Sequence, residues 1–305
     1  MDKFPSRERS TAATLEPRVT AIVVARSVAA NATGQSALDL CLRSALSEPW
    51  VDDLVIVDQV NAPAVSSALR ALQLDRRDVR VVVADARMSA AAAANLGAAQ
   101  ARGRWLLFLD ADVVLQRGAV QRMTSSANGV ASPWIVGGRL TDLEGREKRA
   151  ARGGALNTFS ALAVAMGLPG VKPAPRKKAS AKPQAAAPVA AVSGAFMLIP
   201  RADFNALGGF DEAYVSDAAD LDLCKRATDA GGAVLLQPQA SGVKFERHRK
   251  GRRQAQGLAR FAVKSAKSPL EKAFAVFAGP AIATLVGLRD LIGGGPPQPR
   301  TRSRR

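Results

Sequence analysis

The fold turns on residues Arg104 to Val120, RWLLFLDADVVLQRGAV. An apolar run ends in two aspartates one residue apart, Asp110 and Asp112, and hydrophobic residues then resume. Carboxylates left unpaired in apolar surroundings are costly, so something has to compensate them. The run itself reads as a strand covered on both faces, and three similar runs precede it: VTAIVVA (19–25), DLVIVD (53–58) and VRVVVA (79–84). Between them, SALDLCLRSALS, PAVSSALRALQ and MSAAAAANLGAAQARG have helical spacing, the last closing at Gly103 as a C-cap. This βα alternation predicts an open, doubly wound, mostly parallel α/β sheet of Rossmann type, whose ligands bind at the carboxyl ends of the strands. Asp58 and Asp110 both fall at such ends.

Composition narrows the classes. The 305 residues are 48% hydrophobic, enough for a sizeable core. The only cysteines, Cys41 and Cys224, have no metal-ligand spacing, so neither a disulfide framework nor a zinc site is suggested. A polar N-terminal extension, residues 1–18, lacks the apolar core of a signal peptide, and a cytoplasmic location is expected. The net charge of +17 is segregated: residues 244–305 carry fifteen Lys/Arg against three Asp/Glu, and residues 171–191 carry five against none. Such basic attachments on a near-neutral body point to an acidic surface as partner. Nucleic acid is set aside because the basic tail at 289–305 has no interleaved aromatic residues.

The second half is less regular. Residues 171–191 form a Lys/Pro/Ala tract that reads as a flexible insertion. Order is expected to return at VSGAFMLIPR (192–201), followed by ADFNALGGFDEAYVSDAADLDLCKRATDAGG (202–232) as a turn and a helix with a glycine stop, and by a further strand, AVLLQP (233–238). Asp-x-Asp alone is weak evidence, since Asp220 and Asp222 form a second such pair. At a strand end, however, Asp110 and Asp112 can offer oxygen ligands to a hard divalent cation.

The order of Asp58 after a second strand, NLG at 95–97, LFLDADV at 107–113, VSGAFMLIPR, GGFDE at 208–212, DLDLCKR at 220–226 and HRKG at 248–251 resembles family 2 glycosyltransferases. Within that family it is most similar to rhamnosyltransferase-type members of bacterial polysaccharide assembly. The resemblance implies a GT-A-like fold over residues 19–251, with a nucleotide-sugar-binding half at 19–140 and an acceptor-side, catalytic half at 192–251. It implies Asp58 at the base of a nucleotide-sugar donor, Asn95 beside its diphosphate, Asp110 at ribose or metal, and Asp112 on Mg²⁺ or Mn²⁺. His248, the only histidine in the chain, falls where the family has a histidine that meets the metal or the diphosphate. Asp220 matches the catalytic base of an inverting transfer, while Asp222 is expected to cap or pair structurally. The sequence departs from the family at VARSVAAN, at DQVN and at Ala219, where the family has an acid.

Two functions remain at this stage. The first is an inverting, metal-dependent glycosyltransferase passing sugar to a lipid-linked or polysaccharide acceptor of the cell envelope. The second is a non-catalytic scaffold of the same assembly system. The segment 252–305 is expected to hold either on an anionic membrane surface at the cytoplasmic face, because AFAVFAGPAIATLVGL (273–288) is uncharged and flanked by Lys267, Lys272 and Arg289. Its sixteen residues, broken by Pro280, suit an interfacial amphipathic segment better than a span.

Overall fold

A computed structural model describes residues 18–28, 36–148, 151–152, 185–215, 217–245, 252–278 and 284. In chain order the first half comprises β1 (Val19–Arg26), α1 (Ala37–Ser47), β2 (Val51–Gln59), α2 (Pro63–Asp75), β3 (Val79–Val83), α3 (Ala90–Ala99) and β4 (Trp105–Asp110). Then come β5 (Val113–Leu115), α4 (Ala119–Ser126), β6 (Trp134–Thr141), β7 (Glu147–Lys148) and β8 (Ala151–Arg152). The second half supplies β9 (Ala187–Pro188), β10 (Ala191–Val192), β11 (Phe196–Pro200), α5 (Arg201–Ala206), α6 (Ala219–Asp229), β12 (Ala233–Lys244) and α7 (Arg252–Ser265).

The four apolar runs form the parallel part of one sheet, in the order β3-β2-β1-β4. Ile22, Leu54, Ile56, Leu106 and Leu107 are fully buried there, as strands covered on both faces require. Ser36 and Ser89 cap α1 and α3 by accepting from the backbone N–H groups of Asp39 and Ala92. Pro63 opens α2, where its missing N–H costs nothing. Helix α3 ends at Ala99, before Gly103, so Gly103 is not its C-cap. Gly103 instead lets the chain press against β1: a Cβ there would lie 2.5 Å from the Thr20 nitrogen.

Beyond β4 the sheet turns mixed. Strand β11 runs antiparallel to both β4 and β6, and β12 lies parallel to β6 and antiparallel to β5. Two expectations change here. The strand expected to stop at Pro238 continues to Lys244, through a register shift between Gln237 and Ser241 that absorbs the proline. The end of the Lys/Pro/Ala tract is also structured, with Ala187 and Pro188 paired antiparallel along β12. Its earlier residues lie outside those described.

The chain divides into two compact units, one of residues 1–156 and 171–247, the other of residues 157–170 and 248–305. In the second, α7 and a helix over residues 269–278 are described.

Helix α3 approaches the sheet closely through Gly97, where a Cβ would meet Ile22 Cγ2 at 2.7 Å and Val57 Cγ2 at 3.0 Å. Both neighbours are β-branched and buried, so neither can yield cheaply. Gly97→Ala should therefore destabilise the first unit by about 1–3 kcal/mol, read as a lower urea midpoint at unchanged slope.

Candidate active site

The carboxyl ends of β1, β2 and β4 form one edge of the sheet. In register Asp58 stands opposite Ala25 and Asp110 opposite Val24, so the two aspartates end strands on either side of β1, one residue out of step and two strand spacings or roughly 10 Å apart. Asp58 is buried, and its Oδ1 accepts from Asn61 Nδ2 at 2.7 Å. The same amide donates to the Ala25 carbonyl at 2.7 Å, and Asn61 Oδ1 accepts from Val28 N at 2.8 Å. Asn61 thus ties the ends of β1 and β2 together while orienting Asp58. The departure DQVN conceals this role, since only the pairing of strands shows what Asn61 reaches. Ser27 and Val60, just past the two strands, have φ of 48° and 56°. For a β-branched valine that left-handed conformation is strained by about 1–3 kcal/mol, as often found beside functional sites.

Asp110 and Asp112 bracket the turn from β4 into β5. Asp112 is buried and Asp110 is 40% exposed at its side chain. Between them stands Lys244, the last residue of β12. Its Nζ donates to Asp110 Oδ2 and, at 3.0 Å, to Asp112 Oδ1. Burial works to lower the pKa of this ammonium, but the charges of Asp110 and Asp112 more than reverse that and raise it. The carboxylates at the strand end therefore have a protein cation. Sequence reasoning missed Lys244 because it ended the strand six residues early.

Asp220 and Asp222 part ways on α6, as the sequence suggested. Asp222 is buried and paired with Arg226 at 2.7 Å. That guanidinium also donates to the carbonyls of Leu207 and, at 2.8 Å, Gly209, so the pair fixes the GGFDE loop. Asp220 accepts from Gly194 N and Leu221 N, both at 2.9 Å. One residue on, the Ala195 carbonyl accepts from Asp110 N at 3.1 Å. The loop 193–195 therefore links Asp220 to the Asp110 end of β4.

Asn95 is differently employed from the expectation that set it beside a diphosphate. Its Nδ2 donates to the Phe210 carbonyl and to Glu212 Oε1, both at 2.9 Å, and its Oδ1 accepts from Phe210 N at 2.9 Å. The amide clamps the GGFDE loop, which comes this close because Gly209, at φ 71°, has no Cβ to strike Asn95. His248 lies outside the described residues. Burial raises the thiol pKa of both cysteines, that of Cys224 to about 12, which leaves neither as a nucleophile.

Whether a divalent cation fits can be judged from the donor set. Two carboxylates converge, but their inward oxygens are held by an ammonium, which is not a ligand. Among the described residues no group of three His, Cys, Asp or Glu side chains could hold a metal ion.

A parallel βα sheet with acids along its switch point, crossed by an antiparallel strand, defines the GT-A type of fold. Solved structures agree. GalNAc-T7 with UDP, GalNAc and Mn²⁺ superposes with a TM-score of 0.62 at 16% identity, over 76% of this chain and 44% of that one. A mannosyltransferase of Pyrobaculum calidifontis with GDP-Man and Mn²⁺ gives 0.51 at 18% identity, over 92% and 77%. At such identities the likeness is one of fold. Residues 28–157 match the model of glycosyl transferase family 2. A stretch of 72 residues is 38% identical to the N-acetylglucosaminyl-diphospho-decaprenol L-rhamnosyltransferase of Mycobacterium tuberculosis, covering 24% of each chain. The matched stretch thus spans about a quarter of that relative. Residues 28–157 thus resemble a family 2 glycosyltransferase domain on a GT-A fold.

The two neighbouring acids of α6 should separate on substitution. Asp222→Asn removes the charge that holds Arg226 and should cost about 1–3 kcal/mol. Asp220→Asn, whose one carbonyl oxygen can serve only one of its two backbone donors but which disturbs no ion pair with Arg226, should cost less, about 1 kcal/mol. Thermal melts of the two variants make the comparison.

Proposed function

We propose that this protein transfers a sugar from a nucleoside-diphosphate donor to a hydroxyl of a lipid-linked or polysaccharide acceptor, with inversion at the anomeric carbon. The observation that supports the reading is that Asp58 and Asp110 end strands on either side of β1, with Asp112 in the turn after β4 and Asp220 tied to the Asp110 end through the loop 193–195. The family match and the relative whose name specifies a diphospho-decaprenol acceptor support it. Asp58, steered by Asn61, takes a base or ribose edge of the donor. Asp110 and Asp112 shape the diphosphate end. Asp220 stands across the loop 193–195 and accepts the proton as the acceptor oxygen attacks the anomeric carbon. The bond from that carbon to the diphosphate oxygen breaks on the opposite face, and nucleoside diphosphate leaves with the electron pair. The backbone N–H groups of Gly194 and Leu221 reach its two oxygens and orient the carboxylate toward that step.

The departing diphosphate needs positive charge beside it. The Asp-x-Asp pair and the two neighbours described with Mn²⁺ would make Mg²⁺ or Mn²⁺ on Asp110 and Asp112 one source of that charge. A metal there would neutralise charge on the leaving group as a Lewis acid. Against it stands Lys244, already on both carboxylates.

The second unit supports attachment to the cytoplasmic face of a membrane. No helix among the described residues is long and apolar enough to cross one. The helix over 269–278 instead exposes Leu270 (84%), Phe274 (52%) and Phe277 (79%) along positions i, i+4 and i+7, with Val276 (47%) exposed off that line. Lys264, Lys267 and Lys272 are exposed nearby in the chain, placed to meet anionic headgroups as these side chains enter the interface.

Two measurements check this reading. With labelled sugar nucleotides, Asp220→Asn should keep nucleoside-diphosphate affinity while turnover falls about 10²-fold or more, because the amide cannot take the proton. Turnover that survives would place the base elsewhere. In vesicle co-sedimentation, the full chain should bind anionic lipid and not neutral lipid. Replacing Phe274 and Phe277 by Glu should lower that binding about tenfold or more, given the apolar area each ring would bury. Equal failure on both lipids would remove the membrane assignment.

A further inference from the structure

Lys244 is locked in place by more than its side chain. The register of β12 on β5 sets it opposite Val113, the residue after Asp112. Phe245 N donates to the Asp112 carbonyl at 3.0 Å, and Lys148 Nζ donates to the Lys244 carbonyl at 2.7 Å. The side chain is only 10% exposed, so its ammonium is held between the two carboxylates and is not a swinging surface group. A divalent ion seated between the two carboxylates would compete with the ammonium for Asp110 Oδ2 and Asp112 Oδ1 and would sit against a like charge. An ammonium has three N–H donors, of which two are spent on Asp110 and Asp112. The third can meet a phosphate oxygen.

We propose that Lys244 is the resident cation of the diphosphate site, standing where a divalent metal would sit, so that the donor nucleotide is bound without Mg²⁺ or Mn²⁺. The metal-binding pair is thereby converted into a support for a positively charged side chain: the aspartates orient the ammonium, and the ammonium faces the diphosphate. A lysine serves as a compact point charge in this role, held in place by its two carboxylate partners. The nucleotide part of the inference rests on the proposed donor site. The exclusion of metal does not.

The test uses the full chain in two arms. Mn²⁺ uptake without nucleotide is followed by electron paramagnetic resonance for wild type, Lys244→Ala and Lys244→Arg. Binding of UDP, GDP and dTDP is measured by calorimetry in excess EDTA and in Mn²⁺. Wild type should take up no Mn²⁺ at the pair and bind its preferred nucleotide equally in both buffers. Lys244→Ala should gain Mn²⁺ uptake, lose about tenfold or more of its nucleotide affinity in EDTA, and regain it in Mn²⁺. Lys244→Arg should retain metal-free binding. The inference is overturned if wild type binds Mn²⁺ at the pair or loses nucleotide in EDTA, and the wild-type results stand whether or not the alanine variant folds. If no nucleotide binds in either buffer, the donor-site reading fails. The Mn²⁺ arm still decides between an ammonium that excludes metal, which only the alanine variant would then take up, and one that does not.

Discussion

Two carboxylates at the end of a buried strand cannot stand without a counter-cation, and the acidic crevice is arranged around that requirement. Removing one partner of a buried charge pair costs about 3–5 kcal/mol, because the other is left uncompensated. The twelve residues of β12 supply the partner. The strand starts beside β6, shifts register near Pro238, and ends on β5 with Lys244 beside the turn that carries Asp112. A strand of ordinary length would have stopped short and left the pair bare. The irregularity near Pro238 is thus part of how the site is built.

The segment around α6 follows a different principle. There the chain is held by polar side chains that reach across a loop, with little help from regular pairing. Asn95 clamps the GGFDE segment from α3, and Arg226 holds it from α6 while paired with Asp222. Buried polar networks of this kind specify one arrangement only when fully satisfied. The result is that α6 begins at a fixed place, with Asp220 facing the loop that receives Asp110 N. Two acids two residues apart therefore do different work, one inside the network and one at its edge.

The basic character of the chain belongs to two different scales. Lys244 is a single buried charge matched to two acids, and its surroundings set its strength. The exposed lysines near the 269–278 helix act collectively and over the Debye length, as a surface field does. Residues 244–305 contribute to both, which is why the net charge alone pointed to an acidic partner and said nothing of the crevice.

The parallel half of the sheet was legible in the sequence, because each strand covered on both faces is a continuous apolar run, and because Asp58 and Asp110 stand at the ends of such runs. Asp222 was expected to cap or pair structurally, and it pairs with Arg226 four residues on. Lys244, Asn61 and the clamp made by Asn95 were not legible. Each depends on which strand or loop lies beside which, over separations of 132, 36 and 115 residues. Pro238 read as a strand end because a proline removes a ladder donor; only pairing with β5 and β6 shows that the strand resumes beyond it. Apolar periodicity fixes what an element is. The partner of a buried charge is fixed by packing, because the low-dielectric interior rewards whichever opposite charge the fold brings within reach.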